Sequence, residues 1–227
     1  MRTLILDTSG AFSTVVVVEG ADVLGSSMLR ARPATHLHEQ IRTLTRHVDA
    51  PLSTVGQIGI VVGPGSWTGL NIGVTAAKTL AQVLTIPVIP IKTLDALVAT
   101  RRWRAGRICG LLHAGRQRVY YAWYDPDDLG LVTISSAQTD VMAFSTWVEQ
   151  LDTQAGPPLV IEYGRTFESS LLELAPAIAS EHRMLLSPEV LVAVLNMRKS
   201  KALTDADLLA LAPDYIQASL AERDASR

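Results

Sequence analysis

The chain has a single cysteine, few aromatic residues and no excess of basic charge. Each shortage excludes something. Cys109 alone can form neither an internal disulfide nor a cysteine-based metal site, and it fits a reducing compartment. A net charge of −2 and a pI near 6.2 argue against a protein that grips nucleic acid through its overall charge. Any RNA contact would need a local patch or a partner's charge. With aromatics at 5%, the core must be built mainly from Val, Leu, Ile and Ala. No apolar run is long enough to span a bilayer. The opening Met1-Arg2-Thr3-Leu4-Ile5-Leu6-Asp7 is too short for the apolar region of a signal peptide, and no small-residue cleavage site follows it. A cytoplasmic protein with no membrane contact is expected.

What is present is ample apolar material. At 227 residues, 48% hydrophobic and 19% charged, the chain can bury one large core or two small ones. Residues 3–6, 13–19 and 23–31 read as three strands joined by tight turns, an antiparallel meander. Leu37, Ile41, Leu44 and Val48 share one helix face, and Pro51 stops that helix. Residues 52–57 read as loop. Residues 58–62 form an apolar strand without polar alternation, the pattern of a strand covered on both sides. A helix over 70–84, a strand over 87–91 and a helix over 93–103 follow, the last with Thr93 as N-cap. Strand candidates in the second part are 107–112, 119–124, 131–137 and 158–161. A helix is expected over 140–151 and a short apolar one around Leu208, Leu209 and Leu211, with a frayed end over 221–227. Three hairpin strands followed by α/β crossovers make a ribonuclease-H-like lobe, the unit duplicated in the actin-like ATPase fold. The expected division is 1–104 and 105–227, each lobe with a mixed sheet and helices, the C-terminal helix packing back on the first.

The sharpest local signal is Gly63-Pro64-Gly65-Ser66-Trp67-Thr68-Gly69, set between a strand and a helix. Glycines allow close approach, and a helix N-terminus offers free N–H groups to an anion. No Gly-Lys-Ser/Thr closes the loop, so it is not a Walker A motif. A tight turn with a packing role is the equal alternative. Asp7-Thr8-Ser9-Gly10 follows the first strand, where an actin-like ATPase holds a metal through water; a capped turn explains it as well. His36 and His38 stand two apart, which puts them on different helix faces, so no metal site is expected. Ser66 lacks the Gly-x-Ser-x-Gly spacing of a nucleophile elbow, and Cys109 lies in an apolar strand. Arg101, Arg102, Arg104 and Arg107 flank Trp103 in a basic cluster that could touch RNA or simply cap a helix end. Gly73, Ala77 and Ala81 recur every four residues and form a small-residue stripe fit for close packing, either on the sheet or on another subunit.

These residues resemble the TsaB/YeaZ family, bacterial partner proteins in tRNA threonylcarbamoyladenosine synthesis. The resemblance is densest over the glycine turn with Leu70-Asn71-Ile72-Gly73. It extends to Ile5-Leu6-Asp7-Thr8-Ser9, to the helix near His36, to Pro90-Ile91-Lys92-Thr93-Leu94-Asp95-Ala96-Leu97 and to Pro213-Asp214-Tyr215-Ile216. It implies an actin-like, two-lobe fold and a non-catalytic relative of a TsaD-like catalytic subunit. The degenerate nucleotide loop would comprise Asp7, Thr8, Ser9, Gly63, Gly65, Ser66, Thr68 and Gly69. The partner surface would be His36, Leu37, Ile41, Leu44, Val48, Gly73, Ala77 and Ala81. Implied partners are the TsaD-like subunit, a TsaE-like ATPase and, indirectly, tRNA, with a homodimer when the partner is absent. No cofactor is fixed, and there is room only for weak ATP or ADP binding at the complex interface. The family has Phe at Trp67, Arg at Asn71 and an Asp-Ala-Arg segment where His113-Ala114-Gly115-Arg116 stands. An independent actin-like nucleotide hydrolase is the alternative. A glycoprotease, suggested by older names in this family, finds no metal motif and no nucleophile with a base.

Overall fold

The computed structural model describes residues 1–30, 33–132, 138–151, 153–154, 156–174, 177–198, 203, 205–214 and 216. Two five-stranded sheets share one topology. In the first, β1 (Arg2–Asp7), β2 (Ser13–Glu19) and β3 (Asp22–Leu29) are antiparallel. β4 (Val55–Gly63) and β5 (Val88–Lys92) then add in parallel to give the order β3-β2-β1-β4-β5. The second repeats this with β6 (Ile108–His113), β7 (Arg118–Tyr124), β8 (Asp140–Ala143), β9 (Leu159–Tyr163) and β10 (Ala179–Arg183), ordered β10-β9-β6-β7-β8.

Side chains alternate across the strands, so each strand feeds two cores. Leu4, Leu6, Val15, Val17, Ile58 and Ile60 pack with α1 (Pro33–His47) and α2 (Trp67–Leu84). Ile5, Val16, Val18 and Val61 face the other way, toward α3 (Thr93–Val98) and α6 (Pro188–Arg198). Ile108, Ala122, Ile161 and Tyr163 of the second sheet join that same cluster. α3 and α6 therefore sit between the sheets and bind the halves into one continuous core. Cys109, Leu111, Val119 and Val160, on the far face of the second sheet, pack with Trp147 of α4 (Phe144–Glu149) and Leu171 of α5 (Glu168–Glu173).

Several expectations are corrected. β4 begins at Val55, after a single 3-10 turn over Leu52–Thr54, so residues 52–57 are not all loop. α3 ends at Val98, because the chain turns away to place Trp103 N–H on the Gly130 carbonyl. Thr93 is the first helical residue rather than the cap; Lys92 is the cap, without a side-chain bond. The helix expected over 140–151 is a strand and then a helix, since β8 is needed as the outer strand beside β7. Leu131 and Val132 make only isolated bridges, and residues 133–137 of that strand candidate lie outside the described residues. So do Ala31, Tyr215 and the expected frayed end over 221–227. α5, β10 and α6 carried no expectation. In α6 Val190, Leu191, Val192, Val194 and Leu195 are buried and one narrow face, Glu189, Ala193, Asn196 and Met197, is open; with Ala and Met on that face, little amphipathic period is left to read. α7 (Asp205–Ala210) packs back on α2: Leu208 is buried in the α1–α2 core, and Lys78 Nζ donates to the Leu209 and Leu211 carbonyls at 2.9 and 3.0 Å.

Candidate functional site: a filled glycine turn beneath an apolar helix groove

The glycine turn lies where β4 ends and α2 begins, against the end of β1. Its glycines are occupied by the chain's own backbone. A Cβ at Gly65 would collide with the Ser9 carbonyl oxygen, one at Gly69 with the Thr8 carbonyl oxygen, and one at Gly73 with Thr8 Oγ1. Two donors of the turn are engaged within the chain: Ser66 N–H donates to the Ser9 carbonyl at 2.7 Å, and Gly69 N–H to Ser66 Oγ at 3.3 Å. Ser66 thus caps α2 with its hydroxyl. Gly63 and Gly69 are buried, while Ser66 and Thr68 are exposed.

The Asp7 carboxylate faces inward. Ser9 donates both its N–H (2.8 Å) and its hydroxyl (2.7 Å) to Asp7 Oδ1. Burial pushes this carboxyl above the usual aspartate range, and the Ser9 bonds pull it part of the way back. The arrangement is an Asx-type turn with an internal acid, which closes the end of β1 on itself. Thr8 Oγ1 is buried without a hydrogen-bond partner. Its place against Gly73 is a packing contact.

The small-residue stripe faces the sheet. Gly73 is buried, and Ala77 and Ala81 have no exposed surface. Small side chains let α2 lie close on β1 and β4, so the stripe does not serve a partner. Leu37, Ile41 and Leu44 of α1 are likewise buried at 3–6% exposure, and Val48 packs half-buried on the same cluster. Of the eight residues expected to face a partner, only His36 is exposed. The spacing left open whether the stripe packs on the sheet or on another subunit; in the structure it lies on the sheet, as small residues do where a helix packs very closely.

The consequence is a second apolar face on α2 that points outward. Ile72, Ala76 and Leu80 are half-buried and Val83 is 75% exposed. Ile72, Ala76 and Leu80, together with Leu52 and with Ile41 as the floor, line a groove of about 640 Å³ between α1 and α2. Asn71, Thr75 and Thr79 from α2, with His38 and Arg42 from α1, border it. Arg42 is held in an exposed ion pair with Glu39 at 2.8 Å, which leaves the groove lining apolar.

The other sequence candidates are accounted for within the chain. Trp103 Nε1–H donates to the Pro157 carbonyl at 2.9 Å, so its indole is not a free stacking platform. Arg101 pairs with Glu181, and Arg107 pairs with Asp125 at 2.6 Å while lying over the Trp123 ring. Cys109 is fully buried and its thiol is pushed far up by that burial, the opposite of an activated nucleophile. Among the described residues no group of three His, Cys, Asp or Glu side chains is placed to hold a metal. No helix among them is long and apolar enough to cross a membrane.

The sequence and the fold also match known proteins. Residues 33–160 match the family model described as TsaD, tRNA N6-adenosine threonylcarbamoyltransferase. A tRNA threonylcarbamoyladenosine biosynthesis protein TsaB of Bacillus subtilis is 28% identical over 98% of this chain and 96% of its own length. The Escherichia coli protein of the same name is 28% identical over 58% of each chain. A Pseudomonas aeruginosa protein described as similar to peptidase YeaZ superposes with a TM-score of 0.77 at 22% identity, over 95% of this chain and 99% of its own. An activator of 2-hydroxyisocaproyl-CoA dehydratase from Clostridium difficile superposes at 0.51 and 9% identity, over 88% of this chain and 95% of its own. The two mixed sheets and their shared helices are the actin-like ATPase fold, and the chain belongs to the TsaB/YeaZ family of tRNA threonylcarbamoyladenosine biosynthesis proteins, built on a TsaD-like domain.

Proposed function

We propose that this chain is a cytoplasmic, non-catalytic subunit of the machinery that makes threonylcarbamoyladenosine in tRNA. It would dock a TsaD-like catalytic subunit on the outward face of α2. The observation that carries this reading is the pairing of two facts at one helix. The N-terminal turn of α2 is packed against Thr8 and Ser9, while its outer face leaves Val83 exposed and Ile72, Ala76 and Leu80 only half-buried. A surface helix of a chain acting alone would carry polar residues there. A TsaE-like ATPase and tRNA would then meet this chain only through the complex. Without its partner, the same face would pair with a second copy of the chain. The filled turn speaks against the alternative of an independent nucleotide hydrolase.

Ile72→Asp tests the docking surface. It removes about 1.5–3 kcal/mol of apolar burial and adds a charge without a counter-ion. The expected loss of affinity for the TsaD-like subunit is therefore about 100-fold. Ile72 is half-exposed in the chain alone, so the fold should survive. Undiminished co-elution of the variant with the catalytic subunit would remove the groove from consideration.

A further inference from the structure

Tyr163 closes β9 and is only 6% exposed. Its phenol reaches across from the second sheet to the β1–β2 turn of the first. The oxygen is seated on Gly10, where any Cβ would collide with it and would stand 2.8 Å from the ring carbon that bears it. Burial and the nearby Asp7 carboxylate push this phenol's pKa up, and the adjacent Ser9 side chain draws it part of the way back. Ser9 in turn is tied to Asp7 through its N–H and its hydroxyl, and its carbonyl accepts Ser66 N–H at 2.7 Å. One residue earlier, Thr8 is wedged against Gly69 and Gly73 of α2. The base of the phenol is fixed as well, because Gly164 N–H donates to the Arg183 carbonyl at 2.7 Å and holds the end of β9 against β10.

We infer that Tyr163 is an interlobe latch, a positioning residue through which the second half of the chain sets the β1–β2 turn and, through that turn, the N-terminal half of α2. The contact path is short and unbroken: Tyr163 to Ser9 and Gly10, Thr8 to Gly69 and Gly73, and then the outer residues of the same helix turns. The two ends differ in kind. At Gly10 the fit is steric, with a glycine serving as socket for a phenol. At Ser9 it adjoins a hydrogen-bonded turn, in which Ser9 holds Asp7 and accepts from Ser66. A tyrosine kept for apolar area alone would need neither. The link to partner binding rests on the docking reading above; the link to α2 does not.

Hydrogen exchange on the isolated chain tests the latch. Tyr163→Ala should speed exchange of the Ser9, Gly10, Ser66 and Gly69 amides at least tenfold and leave the interior of β6 unchanged. Gly10→Ala removes nothing, yet it should give the same pattern by expelling the phenol. The double variant should be no worse than either single one, as for two parts of one contact. Additive effects, or unchanged exchange at Ser66 and Gly69 in both single variants, would overturn the latch. Tyr163→Phe keeps the ring and removes the polar end, so it serves if the alanine variant fails to fold; it should lose protection at Ser9, and protection equal to wild type there would count against the polar half. With the partner present, Gly10→Ala should weaken binding at least tenfold. If Ile72→Asp abolishes binding and Gly10→Ala leaves it intact, the transmission to the groove is refuted. If Ile72→Asp itself binds normally, the docking reading falls, and the exchange data still decide the latch.

Discussion

Gly69→Ala sets two calculable effects against each other. Gly69 lies in the first turn of α2, and replacing a helical glycine by alanine should on propensity alone stabilise the chain by up to about 1 kcal/mol. The structure predicts the opposite sign. The new Cβ would collide with the Thr8 carbonyl oxygen, and it would stand 3.2 Å from that carbonyl's carbon and 3.3 Å from Ser66 Oγ. The carbonyl belongs to backbone, so no rotamer change relieves the collision. The turn after Thr8 is pinned by the two Ser9–Asp7 bonds and by Ser66 N–H on Ser9, so moving Thr8 loosens at least one of them. Overpacking costs about 1–3 kcal/mol, and one weakened hydrogen bond adds about 1 kcal/mol. After subtracting the propensity gain, the net loss should be about 1–3 kcal/mol. For a chain of this length that lowers the melting temperature by about 2–12 °C. Urea denaturation measures it, with the slope unchanged and the midpoint lowered. Thr75→Ala, at an exposed position of the same helix, is the control and should be neutral or slightly stabilising. A Gly69→Ala variant as stable as wild type would show that the turn is not packed on β1 and would reopen the case for a loop held ready for a ligand.

Two further outcomes follow from buried acids. Asp7 has its carboxyl pushed above the ordinary 3.8 by burial. The folded chain therefore holds the proton more tightly than the unfolded one, so stability should fall as pH rises from 3.8 through the raised folded value and then level off. Asp7→Asn keeps an oxygen for the Ser9 donors and cannot ionise, so its stability measured in urea should show less of that fall; parallel curves for the two proteins would refute the assignment. Glu162 is fully buried, with Oε1 accepting Phe167 N–H at 3.0 Å and Oε2 3.0 Å from His182 Nδ1. Glu162→Ala should cost about 3 kcal/mol by stranding both partners, and Glu162→Gln less, because its amide oxygen can still accept from Phe167. A urea midpoint for the alanine variant within error of wild type would refute that role.

The first half of the fold was legible because its signals are local. Strand β2 is a run of β-branched residues, α1 has a clean apolar period, and β4 is apolar from Ile58 to Val62, as in a strand covered on both faces. The second half was less legible for a matching reason. α6 is rich in valine and carries Ala193 and Met197 on its open face, so its sequence shows neither a clear helical nor a strand period. β8 is held in place by its register with β7, Tyr120 opposite Val141, a pairing between distant segments that no window along the chain displays.

The site divides along the same line. The glycine turn was visible as a place of close approach, but not what approaches it. Gly65 and Gly69 meet Ser9 and Thr8, which precede them by more than fifty residues in the chain, and Gly10 meets Tyr163 from the other sheet. Closeness is encoded at one end of each contact and identity at the other. The same holds for Gly73, Ala77 and Ala81: small residues state that something lies near, and the sheet is what lies there. Leu70 and Val74 go inward with the small face, which leaves Ile72 and Leu80 half-buried and Val83 exposed on the other side of α2. The close packing that fills the old ligand turn and the exposure that leaves an apolar groove are thus two sides of one helix. A substitution that lets α2 lift from β1 should disturb both together.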